Sequence, residues 1–511
     1  LDYPANERSV AMKRSESPQP VTMLEALIPI AGLVFLVSLS FYLFGDGGAN
    51  GPNQVALVVA TMLAVFVGWR RGHSLASLGE AANASVSSGI GAILILFAVG
   101  ALIGTWALSG TIVAMVYYGL KLLSPDYFYV TAAGICAVIS FAIGTSWTVA
   151  GTIGIGLMGI AHSMGLSPAI TAGAVISGAY FGDKSSPLSD TANLAAAAAG
   201  ANLYQHVRET LLTSLVAIVI TLAVFYLLRR PGAFDASAEV AAMQSAFYIS
   251  PVLFLPLILV VVLTLFRLPP FTTIFLGALA GGVVAVFVEP ARVLAFAAAR
   301  EGVPIPIAML KGVWLALGSG YRSTTGNPVL DTLLTRGGMD SMLNTIWLII
   351  TALAFGGVVE KCGAIERLIA PVVDWARSGG ALVGSLVLAT IATNIVTADQ
   401  FIAAVLPARM FRNAFAARGY APIVLSRSVG DSATTTGALI PWNSCGAFMA
   451  VTLGVPTLSY APYAVFCMVS PLLTVAIAYA GIRMPRVPPA QAGTSTAGGP
   501  PTPVHEDAKQ N

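Results

Sequence analysis

The groups able to do chemistry in this chain are few and gathered into clusters. Residues 178–193 read Gly178-Ala-Tyr-Phe-Gly182-Asp183-Lys184-Ser185-Ser186-Pro187-Leu188-Ser189-Asp190-Thr191-Ala192-Asn193. Gly182 and Pro187 favour a break in a helix there, which frees backbone carbonyls. Asp183 and Asp190, the hydroxyls of Ser186, Ser189 and Thr191, the amide of Asn193 and those carbonyls make an oxygen-rich site, which is what a hard cation requires. A buried carboxylate in such a site can exchange a bound cation for a proton, because burial favours the protonated carboxyl and a neighbouring cation favours the ionised one. That exchange is antiport in its simplest form. The same residues also have a purely structural use, a buried pair of Lys184 with Asp183 or Asp190 that holds the helix break.

A second cluster comprises Thr393, Asn394, Thr397, Asp399 and Gln400, with Asp431, Thr434, Thr435 and Asn443 downstream. Asp399 follows an apolar stretch and precedes Phe401-Ile-Ala-Ala-Val-Leu, so it is expected deep in a membrane, with a helix cap at the membrane surface as its alternative role. Thr145, Ser146 and Thr148 add hydroxyls at a glycine-rich turn. Together these residues form the expected ion-binding set, with Asp183, Asp190, Asp399 and Asp431 as the candidate carboxylates for a hard cation or a proton. No catalytic residue and no cofactor is expected. Trp147, Tyr180 and Trp442 could wall a cavity. His162 and His206 could relay protons, although a lone histidine is more often a packed or interfacial side chain; Arg427 reads as an interfacial anchor, and Glu360 and Glu366 beside Lys361 and Arg367 as a solvated helix end.

The elements that must position these groups follow from composition. Of 511 residues, 56% are hydrophobic and only 10% charged. Soluble domains carry about 25% charged residues, so there is too little charge to coat water-facing surfaces. The fold class expected is an all-α polytopic membrane protein. The net charge of +3 gives no reason to expect a nucleic-acid partner. A helix needs about 20 apolar residues to cross the hydrocarbon core. Clear spans are 24–44, 53–69, 88–108, 127–144, 208–228, 249–266, 271–288, 343–359, 381–398 and 461–482. Interrupted apolar stretches lie between them, and irregular backbone at membrane depth must line a wet cavity or sit inside protein. Such short, broken segments point to a transport site. Four isolated cysteines read as small buried hydrophobes. The first 20 residues are polar and do not resemble a cleavable signal peptide. Lys13, Arg14, Arg70 and Arg71 flank the first two spans, while the loop between these spans has no Lys or Arg, which puts the N-terminus in the cytoplasm. Arg483 and Arg486 suggest the same for the C-terminus.

The chain also resembles itself. Gly104-x5-Gly110-Thr-Ile matches Gly357-x5-Gly363-Ala-Ile, Thr145-Ser-Trp-Thr matches Thr393-Asn-Ile-Val, and Gly182-Asp183 matches Gly430-Asp431. The separation from Thr145 to Asp183 equals that from Thr393 to Asp431. These matches divide the chain into a polar segment (1–20), N-terminal transmembrane helices (21–83), a first repeat (84–230), a linker with transmembrane helices (231–334), a second repeat (335–484) and a disordered tail (485–511). Duplication of this kind favours a transporter whose site lies between the halves.

At this level of detail the chain resembles the NhaC-type Na+/H+ antiporter family. The resemblance rests on Gly144-Thr-Ser-Trp-Thr-Val-Ala-Gly-Thr, the run from Gly173 to Asn193, Ala398-Asp399-Gln400, Leu425-Ser-Arg, Leu439-Ile-Pro-Trp-Asn443, Leu453-Gly-Val-Pro-Thr and Tyr460-Ala-Pro-Tyr. It covers about residues 84–480. It implies the architecture of the ion transporter superfamily: two inverted repeats with re-entrant hairpins and discontinuous helices, a scaffold and a mobile transport domain working as an elevator, and a homodimer in the bacterial inner membrane. Carried onto this chain, Thr145–Thr148 and Thr393–Thr397 would be hairpin tips, and residues 182–193 and 430–436 the broken-helix loops. The implied partners are Na+ and H+ in a lipid bilayer. The family also includes exchangers of organic acids such as malate and lactate and others linked to amino acids, and Lys184 leaves room for a small organic anion. An intramembrane aspartyl protease is the reading from another class. Tyr180-Phe-Gly-Asp183 and Ser428-Val-Gly-Asp431 lack the Gly-x-Gly-Asp spacing that such an enzyme would carry.

Overall fold

A computed structural model describes residues 18–44, 51–229 and 237–487. Most of the expected polar N-terminal segment and nearly all of the expected disordered tail lie outside the described residues. The described chain is almost entirely helical, and its only β-pairing is two isolated bridges, Tyr321 with Arg336 and Tyr420 with Arg486. Eight described helices are long and apolar enough to cross a membrane, or ten if each of two sharply bent pairs counts as one span. Side chains such as Phe35, Val219, Leu227, Phe287 and Leu472 point outward from them, as lipid-facing surfaces require.

In chain order, α1 (Met23–Phe44) and α2 (Pro52–Arg70) pack as a pair. They are followed by α3 (Leu75–Ser88), α4 (Ile90–Ser109), α5 (Thr111–Leu122) and α6 (Phe128–Ile143). A short helix α7 (Ser146–Val149) runs through a π-helical turn, Ala150–Gly154, into α8 (Ile155–Ser163). Then come α9 (Pro168–Ser185), α10 (Asp190–Ala199) and α11 (Leu203–Leu227). The middle of the chain contributes α12 (Ser237–Ala246), α13 (Leu255–Leu265), α14 (Pro270–Val288), α15 (Pro290–Ala297), α16 (Ile305–Ser319) and α17 (Pro328–Leu334). The last part contains α18 (Leu343–Lys361), α19 (Ala364–Trp375), α20 (Gly379–Thr397), α21 (Gln400–Ala417), α22 (Pro422–Thr436), α23 (Ser444–Leu453), α24 (Thr457–Tyr460) and α25 (Val465–Tyr479).

Two expected spans are shorter than their apolar stretches. In 249–266 the α-helix begins only at Leu255, after a 3-10 turn at Pro251–Phe254, and α12 meets this segment at 90°. Pro251 and Pro256 are tolerated in a first turn but would break a helix running through them. In 461–482 the helix begins at Val465, because Ala461–Tyr463 form a 3-10 turn.

Lipid tails offer no hydrophobic drive to pair helices, so close backbone contact has to do that work. Between α6 and α9 it is carried by glycine: a Cβ on Gly178 would lie 2.2 Å from the Ala133 carbonyl oxygen, and one on Gly182 2.1 Å from the Phe141 nitrogen. A second glycine junction joins α4 to the segment between α16 and α18. Gly338 N–H donates to the Gly100 carbonyl at 2.7 Å, and Gly337 and Gly338 both adopt φ of +87°. Trp106 of α4 donates from Nε1 to the Gly277 carbonyl of α14 at 3.1 Å. Thus α4, α14 and α16 form one packed group, while α18 packs chiefly on α2, α3 and α20. In a second group, α9, α10 and α11 interleave with α20, α21, α22 and α25.

Candidate functional site

Two chain breaks of the same backbone form face each other. Helix α6 ends at Gly144 in the left-handed region (φ 83°), followed by extended Thr145 (φ −144°). Helix α20 ends at Ala398, also left-handed (φ 56°), followed by extended Asp399 (φ −136°). The second break therefore falls after Thr397, and Thr393, Asn394 and Thr397 occupy the last turns of α20 rather than a tip. The broken-helix segments differ from expectation in the same sense. Residues 182–185 finish α9, and the break is Ser186–Ser189. Residues 430–436 are helical throughout, and the break runs from the 3-10 turn at Gly437–Leu439 to Asn443. The hydroxyls of this run turn onto its own backbone. Ser428, Ser432, Thr435 and Thr436 each donate to the carbonyl four residues back, with distances of 2.7–2.9 Å.

Asp183 sits in the last turn of α9 and is buried. Three hydroxyls converge on its carboxylate: Ser146 donates to Oδ2 at 2.5 Å, and Ser189 and Thr191 donate to Oδ1 at 2.8 and 3.1 Å. Ser189 is also the N-cap of α10, accepting from the backbone N–H of Thr191 and Ala192. The positive end of that helix is thereby directed at the carboxylate. No basic side chain touches Asp183 among the described ion pairs.

Asp399 is likewise buried and at a helix N-terminus: Oδ1 accepts from Phe401 N–H at 2.6 Å and Ile402 N–H at 3.0 Å. It is a cap, as its alternative role supposed, but in the interior rather than at a surface. Ser444 N–H donates to the Ala398 carbonyl at 2.9 Å, tying this turn to the start of α23.

A cavity of about 250 Å³ joins the two carboxylates. Its lining includes Thr145, Trp147, Asp183, Asp190 and Thr191 from one side and Asp399, Gln400 and Ser444 from the other. Gly91, Ala92 and Ile95 of α4, Pro270 from the start of α14 and Leu353 of α18 add to its wall. Gln400 Oε1 and the Thr148 hydroxyl are buried without a hydrogen-bond partner. The Trp147 ring stacks on Phe448 of α23, centroids 4.1 Å apart.

Asp431 is elsewhere. Its Oδ1 is 2.7 Å from Lys184 Nζ, both groups essentially fully buried, so the lysine pairs with neither Asp183 nor Asp190. Thr213 donates to Asp431 Oδ1 at 3.3 Å, Thr474 donates to Oδ2, and Ser470 accepts from Lys184 at 2.7 Å. The four aspartates therefore do not form one centre, and no group of three or more His, Cys, Asp or Glu poised for a metal ion occurs among the described residues.

The other expected residues are structural neighbours. Asn394 donates to the Ala433 carbonyl at 2.8 Å and to Thr436 at 2.9 Å, and Asn443 donates to Asn394 Oδ1 at 3.2 Å. Thr393 and Thr397 bond carbonyls of their own helix. Ser186 accepts from Leu188 N–H within the break, Asn193 donates to the Ser189 carbonyl, and Thr434 is buried on α22. His206 is packed, with Nδ1 2.6 Å from the Ser426 hydroxyl.

Three neighbours of the Lys184–Asp431 pair were not singled out from sequence. Thr213, Ser470 and Thr474 surround the Lys184–Asp431 pair, and the i, i+4 spacing of Ser470 and Thr474 inside an apolar helix was the available signal. Glu360 lines a second cavity together with Asp399, although it was expected in a solvated helix end.

With this geometry in place, comparison with known proteins is informative. The family model described as "Na+/H+ antiporter family" matches residues 178–482. The Na(+)/H(+) antiporter NhaC of Alkalihalophilus pseudofirmus is 36% identical over 84% of this chain and 90% of its own length. An arginine/ornithine antiporter, ArcD of Halobacterium salinarum, is 33% identical over 90% of this chain and 92% of its own. A malate-2H(+)/Na(+)-lactate antiporter of Bacillus subtilis is 32% identical over 90% of this chain and 95% of its own.

Proposed function

The chain belongs to the Na+/H+ antiporter family, and from that premise we propose that it exchanges Na+ for H+ across the cytoplasmic membrane, with Asp183 carrying the two ions in turn. The observation that carries this reading is the buried Asp183 carboxylate, which meets three hydroxyls and no basic side chain at the edge of the inner cavity. With a proton on the carboxyl the site is neutral. With the proton gone, the carboxylate and the oxygens of Ser146, Ser189 and Thr191 can turn lone pairs toward a small hard cation. Asp399, Asp190 and the unpartnered Gln400 Oε1 supply further oxygen on the far side of the cavity. Binding of the two ions to one carboxylate is mutually exclusive, which is what strict exchange needs.

The charge of the cavity favours a cation over an organic anion. Three aspartates line it, and its lining contains no Lys, Arg or His. Lys184, the residue that left room for an anion, is neutralised by Asp431. The names of the malate/lactate and arginine/ornithine relatives keep coupling to an organic substrate as the second reading. The aspartyl protease reading has less support, since Asp183 and Asp431 are held by separate sets of partners. We further propose, on the family resemblance, that the protein is a homodimer whose two repeats move the site as an elevator.

The test is exchange in proteoliposomes with an imposed Na+ gradient and an internal pH dye. Asp183→Asn is expected to abolish Na+-dependent proton movement. Retention of exchange in that variant would exclude Asp183 as the carrier, and proton flux appearing only with added malate, lactate or arginine would favour the second reading.

A further inference from the structure

The inner cavity does not end blindly. A second cavity of about 430 Å³ is lined by Ser88, Leu194, Glu360, Asp399, Phe401, Ile402, Val405, Leu406 and Arg409, and shares Ser88, Asp399 and Phe401 with the inner one. Ile402, Val405, Leu406 and Arg409 recur at the spacing of one face of α21, so the passage follows that helix. It runs from Asp399 to Arg409, about 15 Å at the helical rise. Glu360, at the end of α18, is partly exposed and feels the charges of Glu366, Arg409 and Asp399. No ion pair joins Glu360 to Arg409 among the described residues.

The side on which this passage opens can also be read. Cys362, just past α18, donates from Sγ to the Ala64 carbonyl, which puts the Glu360 end of α18 beside the Arg70–Arg71 end of α2. Lys361 acts electrostatically on His73 in the loop after α2. Lys361, Arg70, Arg71 and Arg409 thus cluster toward one face, and an excess of Lys and Arg marks the cytoplasmic one.

We propose that the outer cavity is the cytoplasmic entrance for the transported monovalent cation, and that Glu360 gathers the cation at its mouth. A lone carboxylate there would hold the ion. Arg409, lining the same cavity, cancels part of that field, so capture is brief and the cation moves along α21 toward Asp399. This inference rests on the cation-exchange reading above and adds a residue and a side to it.

The experiment measures Na+-driven proton movement in inside-out vesicles, where the cytoplasmic face is accessible. Glu360→Gln is expected to raise the apparent KM for cytoplasmic Na+ roughly threefold to tenfold while leaving the maximal rate within about twofold, and Arg409→Gln to lower that KM; both effects should shrink as ionic strength rises. Glu360→Asp, which keeps the charge, should retain the native KM and controls for loss of fold. Val405→Cys should react with a membrane-impermeant thiol reagent from the cytoplasmic side. The native cysteines Cys136, Cys362, Cys445 and Cys467 are buried and should give little background. Unchanged KM in both charge variants, or labelling of Val405→Cys only from the opposite face, overturns the proposal. The two failures are separable. If Asp183→Asn still exchanges, the carrier assignment falls; if Asp183→Asn is dead but Glu360→Gln keeps its KM, only the entrance falls.

Discussion

Asp183 and Asp431 occupy matching Gly-Asp dipeptides, yet their surroundings divide them into different tasks. Three hydroxyls and no basic side chain meet Asp183, whereas Asp431 has a buried ammonium at 2.7 Å. A buried ion pair seldom adds much net stability, but removing one partner strands a charge and costs about 3–5 kcal/mol. Lys184→Met is therefore expected to destabilise the protein by about 3–5 kcal/mol, and Lys184→Met combined with Asp431→Leu to recover much of the loss. Thermal unfolding in detergent checks this. A double variant no more stable than Lys184→Met would mean that Asp431 is not held mainly by the lysine. The distinction was only partly legible in the sequence. Residue types marked both aspartates as costly in a membrane, but Lys184 adjoins Asp183 in the chain while its side chain leaves α9 toward α22. A partner nearly 250 positions away cannot be inferred from local spacing.

At the scale of elements, two packing devices set the geometry. The first is the glycine seam of α6 and α9. Gly182→Val would drive methyl groups into the α6 backbone, which Gly182 approaches too closely even for a Cβ. Overpacking typically costs about 1–3 kcal/mol, and here it would also move Asp183 away from Ser146. The expected result is lowered thermal stability together with a raised KM for Na+ in the liposome assay, and a changed melting point with unchanged KM would show that the seam does not set the site. The second device lies in the segment before α18, outside the spans. Asp331 accepts from Ser323 and Thr325 hydroxyls and from the N–H groups of Thr325 and Gly326. Burial opposes its ionisation, but these donors prevail and hold its carboxyl below the usual range. The folded value is the lower one, so the stabilisation is complete above about pH 4 and is lost as pH falls through that folded value. Protection of residues 323–335 against hydrogen exchange, taken relative to the intrinsic amide rate at each pH, should therefore fall at acid pH in the native protein, and Asp331→Asn should remove that dependence. Broken helices are legible from the sequence in the repeats, but not where they break. Serine and threonine can free a carbonyl or satisfy one, and in 428–436 they satisfy the helix's own.

Across the whole molecule, the group built on α4, α14 and α16 supplies part of the cavity's apolar wall, through Gly91, Ala92, Ile95 and Pro270, while the interleaved group supplies the carboxylates. A disturbance far from the cavity in the first group should affect stability without touching ion affinity. Gly104→Val is such a case, since a Cβ at Gly104 would lie 2.1 Å from the Ala316 carbonyl oxygen. It is expected to lower the melting temperature and leave the KM for Na+ of the surviving protein unaltered. A shifted KM would show that the two groups are mechanically joined. Composition and apolar run length were enough to read an all-helical membrane protein, because lipid leaves so few alternatives. The meeting of Thr145 with Asp399 across one cavity was not legible, since it depends on how separate helices cross.

One oxygen atom carries a final implication. The Ser189 hydroxyl accepts from the first turn of α10 while donating its hydrogen to Asp183. Loss of the negative charge on Asp183, or its neutralisation by a metal ion, weakens the acceptor for that hydrogen and so changes the polarisation of an oxygen that also terminates a helix. Occupancy is then legible to α10 as a change in the quality of its own cap. By thermodynamic reciprocity, whatever tightens or loosens α10 must change ion affinity by the same factor. On the proposed exchange at Asp183, a single serine would act as a strain gauge between chemistry and architecture, converting which ion is present into how firmly a helix is begun.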